Sequence, residues 1–221
     1  MFLGHIAVAL AAKRAAPRVS LGWFVGAAQF ADLVWPLLVL AGIERVAIAP
    51  GPTPFLALQF SEYPVTHSLL LSVVWGLLAG GTFWLLRRDR VAAAIIALLV
   101  PSHWVLDFVT HAPDLPLYPG GPRLGLGLWS SVPATIVVEL GVFAFGLWSY
   151  TTLTDPSDKV GSRGMNAFVG LLTVLFFGSA FGPPPPSAEA VAMVGIAGWL
   201  LPLWAWWFDA HRHLQRHGPA L

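Results

Sequence analysis

The chain has 221 residues, 57% of them hydrophobic and only 10% charged, far below the ~25% charged residues of an ordinary soluble domain. Its 12 Lys+Arg and 11 Asp+Glu leave a formal net charge of +1, and basic residues so few and scattered make no nucleic-acid-binding stripe. There is no cysteine, which excludes disulfides, thiolate nucleophiles and Cys-ligated zinc.

In chain order, Met1–Ala12 is apolar but too short to cross a bilayer, which takes ~20 residues. The basic residues Lys13, Arg14 and Arg18 follow this stretch instead of preceding it, unlike a cleaved signal. A half-helix is predicted there, with His5 ~12 Å above Lys13, below the main polar layer. Six apolar spans follow: Leu21–Ile43, His67–Leu86, Val91–His111, Leu128–Tyr150, Met165–Phe181 and Ala188–Phe208. The second and third are separated only by Arg87-Arg88-Asp89-Arg90, a tight hairpin, and Pro183–Pro186 forms a stiff outer turn. The expectation is an all-α, polytopic integral membrane bundle of about six transmembrane helices plus the half-helix, as a single domain over 1–221. Residues 1–150 carry the polar groups, and 165–208 form a C-terminal helical hairpin.

Ten of the twelve basic residues lie in loops on one side (Lys13, Arg14, Arg18, Arg87, Arg88, Arg90, Lys159, Arg163, Arg212, Arg216), leaving Arg45 and Arg123 on the other. The positive-inside bias makes the ten cytoplasmic and places both termini inside. The expected location is a bacterial-type inner membrane. His211, His213 and His217 then read as a solvated cytoplasmic tail.

The segment SHWVLDFVTHAPD (102–114) sets His103, Asp107 and His111 four residues apart, on one helix face. At 1.5 Å per residue, Asp32, His103 and Asp107 sit ~20–26 Å above the basic side, His67 and His111 ~30 Å, and Glu139 ~17 Å deep from Tyr150. Ionisable groups from four helices thus share the middle-to-outer half of the bilayer, where each costs ~2.5–3.5 kcal/mol or more at a helix centre. His and carboxylate without thiol suit a divalent metal, zinc first, with manganese and iron compatible. His103 and Asp107 at i, i+4 can reach one ion. His111 lies ~12 Å along the axis from His103, so either Asp107 bridges two ions or His111 faces substrate.

The elements Gly4-His5, Phe30-Ala31-Asp32, Thr66-His67-Ser68-Leu69-Leu70 and Ser102-His103-x3-Asp107, followed by Leu117-Tyr118-Pro119, resemble the LexA-regulated, membrane-bound metal-dependent hydrolases (the YdjM-like family), themselves similar to zinc-dependent phospholipase C. The resemblance covers roughly residues 1–120. It departs from the family at Asp32-Leu33-Val34-Trp35, where members often carry Asp-x-Asp-His. It departs also at Glu62, which stands where they often carry His, and at His111, which stands for Pro.

Residues and resemblance converge on a membrane hydrolase whose ion is held by His67, His103, Asp107 and Asp32, with His5 closing the site from beneath. Glu139 or Glu62 would act as general base or acid, with His111 as a further catalytic or substrate-facing group. The site would open to the outer leaflet, where membrane lipids are the partners and a lipid-like molecule or phosphoester is the substrate class. The alternative is an ion- or proton-coupled transporter or channel using the same groups. A haem protein with bis-His ligation by His67 and His103 or His111 is a further rival.

Overall fold

The computed structural model describes residues 1–49 and 51–215; Arg216 and His217, assigned above to the cytoplasmic tail, lie outside them. Its helices begin where Ser or Asp side chains can take the free N–H groups of a first turn. Ser20 caps α2 (Leu21–Ala28), Ser68 caps α5 (Leu69–Arg87) and Asp89 caps α6 (Arg90–Thr110). Ser131 caps α7 (Val132–Thr151), Asp158 caps α8 (Lys159–Phe181) and Ser187 caps α9 (Ala188–Ala197). The short α1 (Phe2–Ala12), α3 (Phe30–Leu40), α4 (Pro64–His67) and α10 (Leu200–Ala210) complete the set. Asp158 is exposed, and the N–H groups of Gly161 and Val160, with His211 at its other oxygen, hold its carboxyl below the usual range.

Among the described residues, five helices are long and apolar enough to cross a membrane, counting α9 and α10 together, and the pair α2 and α3, bent by 53°, is a sixth candidate when taken as one span. The expected all-α bundle is therefore observed. The breaks inside its spans were not expected. The first span turns at Gln29, while Pro36 sits within α3. The second is interrupted at Ser68, whose extended backbone separates α4 from α5. The fifth starts earlier than hydropathy alone suggests, because the Asp158 cap lets Lys159 and Arg163 join the helix.

Close approach of backbones organises the bundle. Gly76 and Gly80 of α5 face α6, where an added Cβ would lie 2.4 Å from the Ala97 carbonyl and 2.6 Å from that of Ala93. This is the small-residue spacing that lets membrane helices touch without a solvent-driven force. α1 is sunk among α2, α6 and α7, with Leu3, His5, Ile6, Ala7, Ala9 and Leu10 all buried.

The two ends of the bundle differ. At one end Lys13 Nζ bonds Asp209 Oδ2 (2.6 Å), and Tyr150 donates to Asp209 Oδ1 (2.7 Å). There β5 (Thr154–Pro156) also pairs antiparallel with β6 (Arg212–Leu214). At the other end β1 (Arg45–Ile48) pairs with β2 (Leu58–Glu62), and β3 (Leu115–Pro116) with β4 (Arg123–Leu124). These hairpins cover the ends of α3, α4 and α6, where the polar layer lies.

Candidate metal centre

Asp107, buried in α6, is the hub. Its Oδ2 lies 3.1 Å from His103 Nε2, 3.9 Å from His67 Nε2 and 3.9 Å from His111 Nε2. Asp32 Oδ1 comes within 3.5 Å of His67 Nε2 and 3.6 Å of His103 Nε2. Zn–N and Zn–O bonds of ~2.0–2.1 Å would put tetrahedral ligand atoms ~3.4 Å apart. Four of the six distances among the ligand atoms of Asp32, His67, His103 and Asp107 run from 3.1 to 3.9 Å, close to the edge of such a shell. Ligand atoms of two triplets, Asp32–His67–His103 and His5–His103–Asp107, lie within 4.8 Å of one another.

The outer nitrogens fix which way each ring presents its lone pair. His103 Nδ1 lies 2.8 Å from the Ala28 carbonyl, the last residue of α2, so the break in the first span supplies the acceptor. A carbonyl only accepts, hence Nδ1 carries the hydrogen. His67 Nδ1 lies 2.7 Å from Thr66 Oγ1, which donates to Glu44 Oε2 at 2.6 Å; the hydroxyl therefore accepts from His67. Glu44 Oε1 also takes the N–H groups of Val65 (2.8 Å) and Thr66 (3.0 Å), capping α4. His111 Nδ1 donates to Asp114 Oδ1 at 3.0 Å. Tyr63 donates to the same oxygen at 3.0 Å, and burial, reinforced by the Asp114 carboxylate, pushes its phenol above the ordinary value, so it stays a donor.

In their neutral form all three rings turn an Nε2 lone pair toward Asp107, and those of His67 and His103 turn it toward Asp32 as well. Acceptors face acceptors in a buried layer, an arrangement that needs a cation or bound protons. His103 Nε2 has no hydrogen-bond partner despite its 3.1 Å approach to Asp107. The donor set thus fits a divalent ion, and carboxylate, carbonyl and hydroxyl groups behind the histidines are the supports metal-binding imidazoles use. On the opposite oxygen, Asp107 Oδ1 meets the Met1 amino group and His5 Nε2 at 3.0 Å.

Most of the expected residues come together here. His5 does more than close the site from beneath: its ring stacks on His103 with centroids 3.7 Å apart. His111 also reaches the hub. α6 ends at Thr110 and His111 is extended (ψ 149°), so its ring folds back instead of standing ~12 Å up the helix axis. Glu62 is a correction. It lies exposed at the end of β2, opposite Arg45 and 3.8 Å from Arg123, because the hairpin register turns it away from the centre. Glu139 is nearby and buried, but its Oε2 accepts the Leu3 N–H at 2.7 Å, and it belongs to neither ligand triplet. Glu44 is the residue that sequence reasoning missed. Pro64 at the first turn of α4 was the one local hint that a helix start there needed an acceptor.

A cavity of about 160 Å³ opens beside the hub, floored by Asp32, His67, Asp107 and His111 and rimmed by Phe60 and Trp129. At ~30 Å³ per water it has room for a few waters or one phosphate-sized group. The Asp32 side chain is 45% exposed, against 5% or less for His67, His103, Asp107 and His111, so Asp32 is the ligand candidate that faces this space.

Comparison of the chain with protein-family models, with curated proteins and with solved structures returns no match. What the centre does is therefore argued from its own atoms.

Proposed function

We propose that this chain is a multi-pass membrane metal-dependent hydrolase whose centre acts on a small polar group, such as a phosphoester at the head of a lipid-like substrate. The observation that carries the reading is the convergence of three imidazole Nε2 atoms and two carboxylates, with His–Asp approaches of 3.1 to 3.9 Å, beside a small open cavity. The motif resemblance to the YdjM-like hydrolases supports it, and the concentration of basic residues at the opposite end favours an outward-facing site in an inner membrane, with the termini in the cytoplasm. Asp32, His67, His103 and Asp107 would hold the ion, zinc before manganese or iron. When bound, such an ion lowers the pKa of a coordinated water toward ~7 and polarises a phosphoryl oxygen.

The remaining groups bind, orient and exclude. Asp32, turned to the cavity, can take a proton from a water held there. His111, kept in one tautomer by Asp114, presents Nε2 toward a substrate oxygen. Phe60 and Trp129 narrow the mouth to a head group and keep bulk water out. Glu139 anchors α1 through the Leu3 N–H, and its other oxygen, Oε1, has no hydrogen-bond partner among the described residues.

Elemental analysis of protein purified without chelator tests the reading, with about one divalent ion per chain expected and Asp107→Asn reducing metal and activity together. Metal-free wild-type protein would sink the metal reading.

A second reading rests on the broken span. Asp32 lies just past the 53° bend at Gln29, and discontinuous helices carry ion sites in transporters. Metal uptake by proteoliposomes, without turnover of phosphoester substrates, would select a transporter.

A further inference from the structure

A second, larger space lies on the flank of the bundle, between α2, α3, α5 and α10. Its volume is about 860 Å³, within the ~300–1,000 Å³ of small-molecule sites. On α5 it is lined by Trp75, Leu78, Ala79 and Thr82, which share one helix face, and by Arg87 ~18 Å along the axis from Trp75. Gly22 and Gly26 of α2 and Pro202 and Trp206 of α10 line it as well. The slot is separate from the metal centre: Phe30 and Leu33 of α3 line it, while Asp32 between them lines the other cavity.

Its polarity is one-sided. No carboxylate lines the slot. Arg87 closes one end, at the α5–α6 turn where Arg88 and Arg90 also stand, and it forms no ion pair among the described residues. Arg88 is turned aside, its guanidinium 5.6 Å from the Trp84 ring. A long apolar channel with a single unpaired cation at its mouth has the shape and charge of a lipid tail with an anionic head.

We propose that this slot binds one anionic phospholipid, an acyl chain lying along α5 and the head-group phosphate paired with Arg87. The site is independent of the metal centre and of any hydrolysis there.

Protein reconstituted in vesicles of equal parts phosphatidylcholine and phosphatidylglycerol, then extracted in mild detergent and weighed by native mass spectrometry, tests this. One phosphatidylglycerol per chain should be retained in preference to phosphatidylcholine. Arg87→Gln should lower that retention roughly fivefold, whereas Arg90→Gln, at the same end but outside the slot, should not. Gly26→Leu should displace the lipid by filling the slot, since its new Cβ would meet only Pro202 Cβ, at 3.6 Å. Ala79→Leu reads the same effect from the opposite wall if Gly26→Leu is not monodisperse. Equal retention of the two lipids, equal losses in Arg87→Gln and Arg90→Gln, or a dimer that carries no lipid and is split by Gly26→Leu would each overturn the proposal.

Discussion

At the scale of single residues, the centre depends on groups that never touch it. Glu44 caps α4 with one oxygen and, through Thr66, holds the hydrogen of His67 with the other. Glu44→Gln removes the charge behind that chain of hydrogen bonds, and a competitive chelator titration should show metal affinity falling about 10–100-fold. Thr66→Val should do the same and Thr66→Ser should restore binding, which a purely packing role for Thr66 would not produce. This layer was hardly legible in the sequence. Glu44 and Thr66 are 22 residues apart, and nothing in the spacing of either motif joins them. His67, His103 and Asp107, by contrast, were readable because ionisable groups at matching depth in an apolar chain are too costly to stand there without a common partner.

At the scale of elements, the functional geometry comes from interruptions that hydropathy cannot see. An apolar average over Leu21–Ile43 reads as one span, yet its bend at Gln29 frees the Ala28 carbonyl for His103. Proline does not mark these interruptions, since Pro36 and Pro101 lie inside helices. His111 lies just past the end of α6, where helix arithmetic no longer applies, although it stays outside both ligand triplets. α1 is set by Glu139, which takes the Leu3 N–H, and by Gly146, whose added Cβ would lie 2.6 Å from the Ala7 backbone. Glu139→Gln keeps an acceptor and should retain metal and thermal stability. Glu139→Ala strands a buried N–H, at a cost of about 1–3 kcal/mol, and should lower both the melting temperature and metal retention. A Gln variant that loses its metal would instead make Glu139 a ligand.

For the whole molecule, the class of fold was legible because composition and span length leave few alternatives at this hydrophobicity. The pairing of loops at each end was legible only in part. Charge counting divided the loops into two sets, and of the basic set the structure ties Lys13 to Asp209 and Arg212 into the β5–β6 ladder. The hairpins of the other end were read as plain loops, since their strands are too short and mixed to show alternation. If the basic end faces the cytoplasm, reporter enzymes fused within Pro183–Pro186 should be active only outside the cell and those fused after Gln215 only inside. The opposite pattern would turn the centre toward the cytoplasm.

The burial of α1 also dictates a timetable. Its eleven residues reach only ~16 Å, so it cannot be inserted as a crossing when it emerges from the ribosome. The helices that enclose it, α2, α6 and α7, are made later, and α7 brings the Glu139 to which it is fastened. α1 can therefore take its final place only once those later helices have been made. His5 completes the centre only at that moment, so the protein gains its last ligand candidate from a segment made before the helices that hold it.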